Sequence, residues 1–188
     1  MQRVFLWAIT AAGTRRPTVA DEWDYEKNNG LRPNDFSANN AGKAWWRCSK
    51  NHSWQAKISN RNNGADCPYC TNRLVLKGFN DLLTIDPALC KEWDYEKNAS
   101  LRPDAVTANS GKYAWWKCKR NHSWETTISG RRRGNLCPYC TGKIVIPGET
   151  DLRTVRPDIA DEWDYAKNAP LTPDQVTSQS TFRCPYRN

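Results

Sequence analysis

Apolar positions in this chain come in short bursts between polar stretches. Ala44-Trp45-Trp46 and the pair Trp54 and Ile58 flank the polar turn Cys48-Ser49-Lys50-Asn51-His52. Side chains alternate along a strand, so Ala44–Arg47 and Trp54–Ser59 are read as two strands joined by that turn. On this reading Trp46 shares a face with Cys48, and Trp45 shares the other with Arg47. Asn62-Asn63-Gly64 is turn chemistry leading towards Cys67. Upstream, Asp86-Pro87 reads as a cap followed by Pro at the first helical position, which predicts a short helix over Pro87–Tyr95. Arg16-Pro17 and Arg156-Pro157 start matching helices, and Trp23, Trp93 and Trp163 fall on them as core residues. No apolar run approaches the roughly 20 residues that a membrane-spanning helix needs.

The pattern repeats every 70 residues. Glu22–Asn28 and Glu92–Asn98 are both EWDYEKN, and Glu162–Asn168 is EWDYAKN. Cys48, His52, Cys67 and Cys70 recur as Cys118, His122, Cys137 and Cys140. Between residues 21–70 and 91–140 more than half the positions are identical without a gap. A third copy begins in register and loses its back half: no His follows Cys184, and Arg187 stands where the last Cys of Cys-Pro-Tyr-Cys would be. The organisation read from this is a leading segment over residues 1–13, repeat 1 over 14–76, repeat 2 over 77–146 and a truncated repeat over 147–188. Two readings fit the leading segment. It is a repeat remnant, since Arg3–Leu6 aligns with Arg73–Leu76, or a targeting segment, since the first 20 residues carry arginines and no acid.

Composition narrows the class. The 188 residues hold ten Trp and eight Cys with only 38% hydrophobic residues, too aromatic for a disordered polyelectrolyte and too poor in aliphatics for one large core. Small Trp-rich cores, each with an added staple, fit better. The staple is the recurring Cys-x3-His-x14-Cys-x2-Cys. Two ligands on each of two tight turns suit closed tetrahedral Zn2+, with Cys48, His52, Cys67 and Cys70 holding one ion and Cys118, His122, Cys137 and Cys140 a second. Disulfide bonding leaves three thiols per copy, an odd number, and does not account for the His. Cys90 aligns with Ala20 and Ala160 and is expected to be a small buried residue, while Cys184 is a free thiol or a ligand completed by a partner.

Trp45-Trp46-Arg47-Cys48, His52-Ser53-Trp54, Ile58–Arg61 and Cys67-Pro68-Tyr69-Cys70, behind EWDYEKN and Leu-Arg-Pro, resemble the zinc-ribbon or treble-clef zinc finger repeat family. The resemblance covers nearly the whole chain. It implies small α+β units, each a short helix plus a β-hairpin around a Cys3His zinc site. Members stand in tandem arrays, sometimes joined to restriction-endonuclease-like domains, which implies a nucleic-acid-associated role. This chain has no room for such a nuclease domain, and its third unit is broken.

Charge is segregated. Lys43–Gly64 carries Lys43, Arg47, Lys50, Lys57 and Arg61 without an acid. Lys112–Gly134 carries Lys112, Lys117, Lys119, Arg120, Arg131, Arg132 and Arg133 against Glu125. Asp81–Glu96 is acidic. One reading makes the basic halves phosphate-contacting faces, with Trp45 and Trp115 stacking on bases. The other pairs acidic and basic halves internally. Arg61 and Arg131 either bind phosphate or hold turn carbonyls. No nucleophile triad, phosphate-cradling glycine loop or open metal site is apparent. The expectation is a non-enzymatic protein with no membrane and no small-molecule substrate. It binds DNA or RNA in a reducing intracellular compartment, with organellar import or virion association as other locations. The alternative is a structural or protein-interaction module in a larger assembly such as a virion or ribonucleoprotein.

Overall fold

The computed structural model describes residues 19–180. The leading segment, the Arg16-Pro17 start of the first expected helix, Cys184 and the end of the third copy lie outside them, and the described part of that helix is the 3-10 turn Val19–Glu22. The chain divides into two compact units between Leu76 and Lys77. Among the described residues no helix is long and apolar enough to cross a membrane.

The first unit is built on an antiparallel hairpin, β1 (Lys43–Arg47) and β2 (Ser53–Lys57), followed by a short helix α1 (Ile58–Asn62). The register sets Ala44 opposite Ala56 and Trp46 opposite Trp54. Ala44, Trp46 and Trp54 are buried, and Trp45 and Arg47 are half-buried on the other face, the alternation read from the sequence. The second strand ends at Lys57, two residues earlier than expected. Ile58 and Ser59 donate their N–H groups to the carbonyls of Gly42 and Asn40 and turn into α1, which carries Ile58 into the core.

A two-stranded hairpin is marginal alone. Here the EWDYEKN segment supports it. Val19–Glu22 forms a 3-10 turn, after which Trp23 bridges Trp46 across the sheet edge. The two indoles meet edge to face, with centroids 5.2 Å apart at 85°. Trp23, Ala44, Trp46, Cys48, Trp54, Ile58 and Cys67 form one buried cluster.

The second unit repeats this as α2 (Leu82–Ile85), β3 (Tyr113–Lys117), β4 (Ser123–Thr127) and α3 (Ile128–Arg132). Its core takes in Leu82, Leu89, Val106 and Ala108 alongside Trp93, Trp116 and Trp124. The helix expected over Pro87–Tyr95 is instead a 3-10 turn, Leu89–Glu92. Asp86 does cap its start, accepting from the Leu89 N–H at 3.1 Å. Trp93 then adopts an extended conformation, because its backbone bridges Trp116 and the Asp94 N–H donates to the Trp115 carbonyl. A helix would consume those groups internally.

The third copy continues in the same unit as α4 (Leu152–Val155), α5 (Pro157–Asp161) and α6 (Tyr165–Asn168). It has its own small core of Leu152, Ala160, Trp163 and Val176. Asp81 and Asp151 cap α2 and α4, each accepting from the Thr three residues on.

Candidate metal centres

Each centre joins two turns. In the first, the Cys48 N–H donates to the His52 carbonyl at 3.1 Å and the Asn51 N–H to the Cys48 carbonyl at 2.8 Å. Asn51 takes φ +62°, a left-handed conformation that Asn tolerates better than most residues. The turn therefore sets Cys48 and His52 side by side where β1 passes into β2. In the second turn the Thr71 N–H and hydroxyl both donate to the Cys67 carbonyl. The Arg73 N–H closes onto Pro68 at 2.8 Å. Asn121 and Thr141 play the same parts in the second copy.

These turns bring Cys48, His52, Cys67 and Cys70 together, and Cys118, His122, Cys137 and Cys140, with all donor atoms of each set within 4.8 Å of one another. The sulfurs of Cys48 and Cys70 are 3.9 Å apart, and those of Cys118 and Cys140 3.7 Å. His52 Nδ1 lies 3.7 Å from Cys67 Sγ and 3.3 Å from Cys70 Sγ, and His122 Nδ1 repeats both distances with Cys137 and Cys140. A tetrahedron with arms of ~2.3 Å has edges of about 3.8 Å, so these are the separations of donors sharing one ion. All the described cysteines are free thiols. Each set fits one Zn2+, giving two ions per chain.

Burial and then the neighbouring thiols push Cys70 and Cys140 up to about 12. A cation at the centre inverts that preference and holds the sulfurs as thiolates. Cys90 stands apart, buried in the core of the second unit, its thiol raised to about 11 by burial and by Asp86 and Asp81.

The EWDYEKN residues lock onto the hairpin behind the metal. Arg61 is 5% exposed and pairs with Glu22, its guanidinium lying 5.6 and 5.4 Å from the Trp46 and Trp54 rings. Arg131 pairs with Glu92 at 2.5 Å. Burial pushes the Glu22 carboxyl above its usual value, and Arg61 only partly offsets that. Asp24 receives the Ser53 hydroxyl at 2.8 Å and the Arg47 guanidinium at 3.0 Å, and Glu26 takes Arg47 at 2.6 Å. Burial alone would raise Asp24, yet Ser53, the Lys27 N–H and Arg47 together hold it below the usual carboxylate range. Asp94 receives the Ser123 hydroxyl at 2.6 Å.

The remaining residues named from the sequence divide by exposure. Lys43, Lys50, Lys57, Lys112, Lys117, Lys119, Arg120, Arg132 and Arg133 are exposed. Arg132 donates to Asn109 at 2.7 Å. Trp45 and Trp115 are half-buried, with Lys27 and Lys97 standing 4.4 and 4.3 Å over their rings. Arg47, Arg61 and Arg131 form ion pairs with acids of their own copy, and the charge of Lys117 helps to lower the Asp94 carboxyl. Sequence reasoning missed the Glu22–Arg61 partnership, whose signal was a pair of opposite charges recurring at one spacing in both copies.

Tandem hairpins, each closing Cys3His onto a metal, define a zinc finger repeat protein. Residues 19–73 and 89–143 each match a family described as a probable treble clef zinc finger domain, together more than half of the chain, and the chain belongs to that family. A comparison with curated proteins found no match.

Proposed function

We propose that the protein binds nucleic acid, without catalysing a reaction, through cations that folding leaves in solvent. The observation carrying this reading is the sorting of its basic residues. The acids of EWDYEKN engage Arg47, Arg61 and Arg131, while Lys43, Lys57, Lys112, Lys119, Arg120, Arg132 and Arg133 stay exposed on or beside the hairpins. A chain of net charge +8 with exposed cations gains phosphate contacts by releasing counterions. Trp45 and Trp115 contribute whatever ring surface Lys27 and Lys97 leave accessible. The free thiols and the zinc sets support a reducing intracellular compartment.

Fluorescence anisotropy against single- and double-stranded DNA and RNA, repeated over a salt series, tests this. The expected result is an affinity falling linearly in log–log form. Lys119→Ala and Arg120→Ala each reduce the slope by about 1 where they contact phosphate. Absence of binding at low salt, or salt-independent binding, overturns it.

A second reading, a protein-interaction module, is favoured by the aromatic residue repeated in solvent: Tyr25, Tyr95 and Tyr165 are each about half exposed, one per copy. That reading expects a copurifying protein that survives nuclease treatment.

A further inference from the structure

His122 presents Nδ1 to Cys137 and Cys140, and its other ring nitrogen is engaged from outside the set. Nε2 lies 2.5 Å from Glu149 Oε1, a residue of the third copy. We infer that the truncated third copy completes the second metal centre, with Glu149 as a positioning residue that orients His122 and strengthens it as a ligand. A ligating His whose second N–H donates to a carboxylate is fixed in one tautomer and ring orientation.

The carboxylate is held on a built turn. The Thr150 hydroxyl receives the Ile146 N–H at 2.7 Å, and the Glu149 and Thr150 N–H groups donate back to the Ile146 carbonyl at 3.0 and 2.9 Å. Gly148 takes φ +80°, and its N–H donates to Asp151 Oδ2 at 2.5 Å. Asp151 is fully buried, bridges Thr177 and caps α4. The Thr177 hydroxyl reaches back to the Gly142 carbonyl at 2.6 Å, just past the Cys140 turn. The third copy thus grips the second centre at its His and behind its last Cys. Residue 79, seventy positions before Glu149, is Phe, which offers no carboxylate.

The chain has two histidines, one per centre, so each ring reports its own metal. The test is a long-range 1H–15N spectrum of the zinc-loaded full chain during titration with a competing chelator, for wild type, Glu149→Ala and Glu149→Gln. In wild type the His122 Nε2–H should resonate downfield and exchange slowly. Glu149→Ala should abolish that signature and weaken zinc at His122 by about 10- to 100-fold, while His52 releases its metal as before. Glu149→Gln, which keeps a neutral acceptor, should fall between. An unchanged His122 release in Glu149→Ala overturns the inference. So does an equal weakening at both histidines, which reports a general loss of fold.

Discussion

Asn28 pairs with both backbone groups of Trp45. Its Nδ2 donates to the Trp45 carbonyl at 2.8 Å, and its Oδ1 accepts the Trp45 N–H at 2.9 Å. Asn98 does the same to Trp115 at 2.7 and 2.8 Å. One side-chain amide thereby satisfies the edge of β1 as a neighbouring strand would. Asn28→Ala or Asn98→Ala leaves the Trp45 or Trp115 N–H without its acceptor, while the carbonyl keeps the Asp24 or Asp94 N–H, and should cost about 1–3 kcal/mol. Denaturant unfolding of the zinc-loaded protein checks this, and Asn→Asp, which keeps one of the two bonds at neutral pH, should lie between.

Arg61 and Glu22 form an ion pair that is largely removed from water. Arg61→Ala leaves the Glu22 carboxylate without its partner and takes the guanidinium from the Trp46 and Trp54 rings, and should destabilise the copy by about 3–5 kcal/mol. Replacing both, as Arg61→Met with Glu22→Leu, should recover most of that loss. If the double variant is as unstable as the single one, the pair contributes more than its own desolvation removes.

Glu22 also sets a pH dependence. Its folded value lies above the ordinary 4.5, so the folded copy holds that proton more tightly than the unfolded chain does. The associated stability is fully present below 4.5 and is lost as pH rises through the folded value. Wild-type stability minus that of Glu22→Gln should therefore fall with rising pH just above 4.5 and level off towards neutrality. Urea unfolding with excess zinc across that range decides it. A difference that grows with pH would mean that Arg61 outweighs burial.

Metal removal should unfold both hairpin copies. Trp46 and Trp116 are almost fully buried in clusters that include the ligands Cys67 and Cys137. Zinc supplies on the order of 10 kcal/mol in small modules of this kind. Stripping two ions per chain should shift tryptophan emission to the red and abolish near-UV dichroism, with zinc restoring both. Purified protein without stoichiometric metal, or a spectrum indifferent to chelation, would contradict the Cys3His assignment.

The ligand sets and strand alternation were legible in the sequence because each copy states them again at one interval. Spacing carries such local information well. The path of EWDYEKN was not legible. Asp86-Pro87 is sound helix-start chemistry, but the following Trp93 has to lend its backbone to Trp116, and this tertiary demand overrides the local signal. The roles of Arg61 and Arg131 were open for a related reason: their partners lie 39 positions upstream, and a guanidinium serves phosphate, carbonyl or carboxylate equally well. Glu149 left no trace in the repeat because the earlier copy has Phe79 at that position.

Glu22 to Arg61, Asp24 to Ser53 and Asn28 to Trp45 all close inside a single 70-residue period. Duplicating such a period inserts a cassette that arrives with its own counter-charges, its own substitute strand edge and its own ion. Those contacts travel with every added copy. Shortening is less forgiving: deleting from Glu149 onward would take away the outer support of a centre whose four ligands had all been left in place.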